Sequence, residues 1–243
     1  MTSPVHHTDH VGRGILLTLV TIGVFGIQDA VAKLLVQDYS PFQVAMLRYW
    51  GFAAFALIMV TRQAPLRQAL RSRAPGLQIL RGVMLVTDIW FFAIALQTVP
   101  LGELQAISMV YPLLVTLFAI PLLGEKVGVF RLVAVGAGFL GALIIVRPGG
   151  VPLDWGAGAA IAEATCYALY IVTTRKVTAV DSAATTMTYT ALVGLVLSGA
   201  VGVFFWQNMA WVDVLLVLVV TVTTCTGNWL MTVSLSMAPA SVL

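Results

Sequence analysis

Asp29, Lys33, Arg48, Asp88 and Glu163 each sit inside a long run of apolar residues. A charged group near the centre of a bilayer costs at least ~2.5–3.5 kcal/mol on insertion scales, so each needs a partner, an aqueous cavity or a function. Asp29 and Lys33 are four residues apart on one helical face, where they can pair with each other or line a cavity together. Arg48 falls about two turns into the next run. With Asp29 and Lys33 it would form a cluster of net positive charge suited to a carboxylate or phosphate; snorkelling of its long side chain to the interface is the alternative. Asp88 shares a face with Arg81 and reads either as cavity-lining or as an acid buried in protonated form. Intramembrane carboxyls can take up and release protons, which makes Asp29, Asp88 and Glu163 candidate coupling sites.

Uncharged groups extend the set. Gln105, Ser108 and Pro112 share a face, and Pro112 removes a backbone donor and is expected to kink its helix. Tyr111 beside it could stack on a ring. Glu163, Tyr167 and Tyr170 follow at i, i+4 and i+7, one continuous stripe. Trp90, Asn228 and Trp229 complete the candidates. Nothing here assembles a catalytic set: His6, His7 and His10 are all in the N-terminal tail, and no HExxH, aspartate-rich or GxS pattern occurs. Gly136 to Gly141 fits GxGxxG but lies in an apolar run with no preceding strand, where small residues serve close helix packing. Cys166 and Cys225 lack metal-ligand spacing. No enzyme activity, metal or cofactor is expected. Nor is nucleic-acid binding, because no Lys/Arg stripe carries interleaved aromatics.

The elements that position these residues follow from composition. Hydrophobic residues make up 60% of the 243-residue chain and charged residues only 9%, with a mean hydropathy of +0.98. Soluble domains carry about 25% charged residues, so the solvent here is lipid, which permits only helices or closed barrels. Long apolar runs rather than alternating ~10-residue segments select helices. Spans are expected at 15–36, 42–61, 78–97, 103–123, 129–147, 156–174, 185–206 and 212–235, with a ninth beginning after Pro239. An N-terminus inside places Arg13, Arg62, Arg67, Arg71, Arg73, Arg81, Lys126, Arg131, Arg175 and Lys176 on the cytoplasmic side, ten of the thirteen basic residues. The positive-inside rule therefore predicts a multi-pass protein of a bacterial inner membrane with a cytoplasmic N-terminus. Its partners are the bilayer and a small molecule; a homodimer is left open.

The chain also repeats itself. Trp90, Leu96, Pro100 and Leu104 match Trp229, Leu235, Pro239 and Leu243 at one offset, 139 residues, and Gly14, Phe25 and Lys33 match Gly156, Tyr167 and Arg175 at 142. A tail at 1–14 precedes a first repeat at 15–148 with five spans, an odd number, so the second copy at 155–243 is inverted. Inverted halves can enclose a midplane site and open it alternately to each side. The second copy stops as its fourth span begins. The expected fold is thus an all-α membrane bundle of two inverted five-helix repeats, ten spans in the parent and about eight complete here. A natural eight-span protein is the alternative.

Ala106-Ile107-Ser108-Met109-Val110-Tyr111-Pro112-Leu113-Leu114-Val115-Thr116, running into Pro121-Leu122-Leu123-Gly124-Glu125, resembles the fourth-span signature of the EamA family of the drug/metabolite transporter superfamily. Gly26, Lys33, Pro41 and Arg48 fall where that family's first two spans carry a Gly, a Lys, a Pro and an Arg. The resemblance implies two five-helix repeats around a central substrate cavity and transport of amino-acid-like, nucleoside-like or vitamin-like metabolites. The Gln28-Asp29-Ala30-x-x-Lys33 opening resembles bacterial members assigned to S-adenosylmethionine or riboflavin. An intramembrane enzyme and a channel or receptor-like protein are the competing classes. Convergence of Asp29, Arg48, Asp88 and Glu163 on one cavity discriminates between them and a transporter.

Overall fold

A computed structural model describes residues 7–63, 65–124, 128, 133–134, 136–138, 140–141 and 155–237. They form a bundle of helices: α1 (His7–Asp38), α2 (Pro41–Gln63), the short α3 (Leu66–Ala69), α4 (Pro75–Thr98), α5 (Leu101–Ser108), α6 (Tyr111–Leu123), α7 (Trp155–Thr178), α8 (Ala183–Gly202) and α9 (Trp211–Met237). Among the described residues six helical stretches are long and apolar enough to cross a membrane, Leu101–Leu123 counting as one through α5 and α6. Trp211–Gly227, within α9, is a shorter apolar stretch. The chain is an all-α polytopic membrane bundle. Most of the span expected at 129–147 lies outside the described residues, and the parts described, 133–134, 136–138 and 140–141, are helical.

Local chemistry sets the helix ends. Pro41 and Pro75 open α2 and α4, where a missing N–H costs nothing. Val99 is extended, ψ 134°, as the residue before Pro100 must be. Gly124 closes α6 at φ 68°, the left-handed cap that glycine adopts without strain. Ser182 caps α8 by accepting the Thr185 amide at 3.1 Å. Within the helices, threonine hydroxyls such as those of Thr87, Thr116, Thr188 and Thr190 donate to the carbonyl four residues back, the satisfaction an apolar solvent demands.

Pro112 breaks the fourth span as expected. α5 ends at Ser108, Met109 and Val110 form a turn, and α6 restarts at Tyr111 with proline in its first turn. The Val110 and Leu113 amides bond three residues back rather than four.

Packing follows a pattern. α4 lies along α7, α1 along α9, and α2 along α8, with smaller contacts of α4 on α8 and α2 on α9. Exchanging α1, α2 and α4 for α7, α8 and α9 maps this set onto itself. The α2–α8 crossing is close because Gly194 lies under the Tyr49 ring and Gly202 against Met46 and the Phe42 carbonyl. The exchange fails in one place: α4 also packs on α1 and α2, whereas α9 has no comparable packing on α7 or α8 among the described residues.

The bundle's two ends differ accordingly. At one, called the closed end, Ala32, Leu35, Val36, Val44, Leu96 and Val99 bury one another in the main apolar cluster. Gln43 pairs with Gln207 through two hydrogen bonds, 2.8 and 2.9 Å. Tyr39, in the α1–α2 turn, donates to Asp213 at 2.6 Å and accepts from the Ala210 amide, at the start of α9. At the other, the open end, Asp181 in the α7–α8 turn accepts from Ser72, the Arg73 amide and Gln78, at the start of α4. These two latches occupy equivalent places at opposite ends.

Candidate functional site

Between the halves lies a cavity of about 970 Å³, running from midspan to Thr178 and Ala183 at the open end. That is ample for a vitamin-sized molecule, since ligand pockets span ~300–1,000 Å³. α1 brings Asp29 to the wall and α2 brings Arg48, while α4 and α7 bring Asp88 and Glu163. Asp88 and Glu163 are both 7% exposed. The four charged groups predicted from sequence to converge do so.

Their hydrogen bonds tie the broken helix to its neighbours. Gln105 donates to Asp29 at 2.9 Å and Ser108, at the break, donates to Glu163 at 2.7 Å. Asp88 and Glu163 lie side by side, close enough for their carboxyls to interact directly. Arg48 stands within Coulombic reach of Asp29 and Asp88. Tyr111 meets Tyr167 edge-on at 5.0 Å between ring centres, and Tyr167 stacks on Tyr170 at 5.9 Å, so the predicted tyrosine stripe is an aromatic wall. Trp229, from α9, also faces the cavity.

Two candidates lie elsewhere. Lys33 turns away from Asp29: its ammonium donates to the Leu96 and Val99 carbonyls, both at 2.7 Å. The end of α4 leaves those carbonyls without intrahelical partners, and a cation is the favoured cap for them. The Asp29–Lys33 pair is therefore replaced by two separate contacts. Trp90 packs edge-on against Phe42 at 5.4 Å, outside the cavity wall. The side chain of Asn228 lies outside the described residues.

The sequence reading missed Tyr49 and Arg81. The Tyr49 hydroxyl is buried on the wall and makes no hydrogen bond among the described residues. Arg81 donates to Thr174 and Thr190, each at 2.8 Å, and lies over the Tyr170 ring at 4.9 Å. Its place on the face of Asp88 was the signal; counting it among the loop charges hid it. Among the described residues no cluster of His, Cys, Asp and Glu is arranged to hold a metal.

Known proteins with this pattern are membrane transporters. The model of the EamA-like transporter family matches residues 12–147. A riboflavin transporter of Vibrio cholerae is 30% identical over 186 residues, 75% of this chain and 62% of that protein. An S-adenosylmethionine uptake transporter of Rickettsia prowazekii is 23% identical over 194 residues, 80% of this chain and 65% of that protein. The chain thus spans a little under two thirds of these relatives' length. A crystal structure of a protein superimposes with a TM-score of 0.64 at 21% identity, covering 91% of this chain and 78% of that one, which shows the shared fold.

Proposed function

This chain belongs to the EamA-like transporter family, and from that premise we propose that it carries a small metabolite across the bacterial inner membrane by alternating access. The observation that carries the reading is the midspan cavity, whose wall draws a charged group from α1, α2, α4 and α7 in turn. Helices from both halves enclose it, as expected of inverted repeats with a site between them. The N-terminus lies in the cytoplasm on this reading, so the cavity opens inward.

The wall suits a ring-bearing metabolite with a polar edge. Tyr111, Tyr167, Tyr170 and Trp229 offer faces for stacking; Arg48 offers a fork of donors for a carbonyl or anionic edge. Riboflavin and S-adenosylmethionine, named for the relatives, both combine a heteroaromatic ring with a polar chain, and this is the class proposed. On this reading the Asp88–Glu163 pair takes up and releases the proton that couples transport to the gradient, with Asp29 as a third carboxyl facing Arg48.

Proteoliposomes holding the full-length protein test this with riboflavin, S-adenosylmethionine and a panel of amino acids, with and without a pH gradient. Saturable flux of a ring-bearing substrate that responds to the gradient is expected. Glu163→Gln should cut that response about tenfold, the worth of ~1.4 kcal/mol. Folded protein with no flux across the panel would sink the reading.

A further inference from the structure

Three features of the closed end have counterparts at the open end that are differently engaged. Lys33 caps the carbonyls of α4's last turn, while its repeat counterpart Arg175 is exposed in the last turn of α7. Trp90 is packed on Phe42, while its counterpart Trp229 lines the cavity and is 53% exposed. Ala184, the position equivalent to Phe42, lines the cavity as well. Finally, α4 packs on α1, and the equivalent α9–α7 contact is the packing that is lacking.

We infer that Arg175 has a second seat, the carbonyl of Leu235 in the last turn of α9, and that occupying it seals the open end as Lys33 now seals the closed end. The inference rests on the alternating-access reading and adds to it the pair of residues that exchange. Leu235 stands in α9 where Leu96 stands in α4, and the C-terminal part of α9 lies at the open end with the last turn of α7, which carries Arg175. Both seats have one cause: the residue four on from each leucine is a proline, Pro100 after Leu96 and Pro239 after Leu235. Proline has no N–H to return to that carbonyl, so a cation is favoured there, the more so in an apolar solvent. The exchange is rigid. α1 with α9 and α4 with α7 are the most extensively packed pairs, and each carries its own latch, Tyr39–Asp213 in one and Asp181–Ser72 in the other. Rocking one pair against the other about the α2–α8 crossing frees Lys33 as it brings Arg175 to α9. Trp229 then closes over Ala184, and Trp90 swings to the wall it is now absent from.

The test uses full-length protein in lipid nanodiscs, spin-labelled at Thr178 and Met237 to report the open end or at Asp38 and Thr98 to report the closed end. Lys33→Gln should move the population toward a short Thr178–Met237 and a long Asp38–Thr98 distance by roughly tenfold, the loss of a charge-assisted cap. Adding Arg175→Gln should reverse that shift by a similar factor, and Arg175→Lys should preserve it. If Arg175→Gln leaves the shifted population unmoved, the second seat is wrong and alternating access stands. If both distances stay single and unchanged in wild type and Lys33→Gln alike, alternating access fails and this inference with it. Gel filtration and circular dichroism check that the Arg175 variants fold, Arg175→Lys keeping the charge; should Lys33→Gln not elute as folded protein, Lys33→Met supplies the background.

Discussion

The closed and open ends are built from equivalent positions yet do different things. At the closed end an apolar cluster, a lysine cap and a tryptophan–phenylalanine contact pack the described helices against one another. At the open end the same positions hold an arginine at the surface, and a tryptophan and an alanine on the cavity wall. Only the latches are alike. What differs is therefore the approach of α4 and α9 to their neighbours rather than the internal order of either half, which is how a repeat protein can change access without remaking its core.

The strongest way to break this comparison is to damage what both ends share. Gly194 lies under the Tyr49 ring, and a Cβ there would meet the ring itself. Gly194→Val should force α2 from α8 and lower stability by about 3 kcal/mol or more, read as a fall in thermal unfolding temperature in detergent. The matching change at Gly199, where the nearest contact is the Trp50 ring nitrogen at 3.4 Å, should cost much less. Equal losses at the two positions would show that the crossing does not govern the fold.

A smaller effect sharpens the contrast in access. In a background with Cys166 and Cys225 replaced by serine, Met187→Cys on the cavity wall should react with a charged thiol reagent applied from the open end. Leu35→Cys, buried at the closed end, should be protected from reagent on either side. Rapid labelling of Leu35→Cys from the closed end would overturn the assignment of ends.

The least effect is expected from pH, and it should differ in sign between the latches. The hydrogen bond to Asp213 holds the Tyr39 phenol above its ordinary range, with burial adding slightly. A group raised on folding contributes below its unfolded value, so this latch weakens only as pH rises past about 10. Slight burial pushes the Asp181 carboxyl up, but hydrogen bonds from Ser72, the Arg73 amide and Gln78 outweigh it and leave it below the ordinary range. Its contribution is present at neutral pH and fades as pH falls below about 4. Both groups sit at the bundle's ends, partly open to solvent, so each effect is small. Tyr39→Phe should remove the alkaline limb of a stability profile and Asp181→Asn the acid limb; a limb that survives its own substitution belongs to another group.

Much of this was legible in the residue order. Apolar runs and their proline punctuation located the described spans, because lipid leaves a chain few ways to satisfy its backbone. Asp29, Arg48, Asp88 and Glu163 were found by their cost alone: charges in such runs must meet something, and here they meet one another across a cavity. The break at Pro112 followed from a missing amide. Lys33 and Trp90 were placed on the wall and are not there: the carbonyls at the end of α4 draw the Lys33 ammonium, and Phe42 receives the Trp90 ring. Neither contact is legible in the residue order, because each depends on which helices become neighbours. Tyr49 was illegible for a different reason, since an aromatic residue among apolar neighbours looks like packing until it is found on the wall with a buried hydroxyl that makes no hydrogen bond among the described residues.

The interruption at Met109 and Val110 has an electrical consequence. A continuous helix would present the cavity with side chains only, its dipole cancelling along its length. At the break Met109 and Val110 keep helical angles, but the Val110 and Leu113 amides bond three residues back and Pro112 returns no amide to the Ser108 carbonyl, so the main-chain dipoles there are incompletely paired. A polar solute at that level meets a field fixed by the main chain, which no side-chain substitution erases unless it mends the helix.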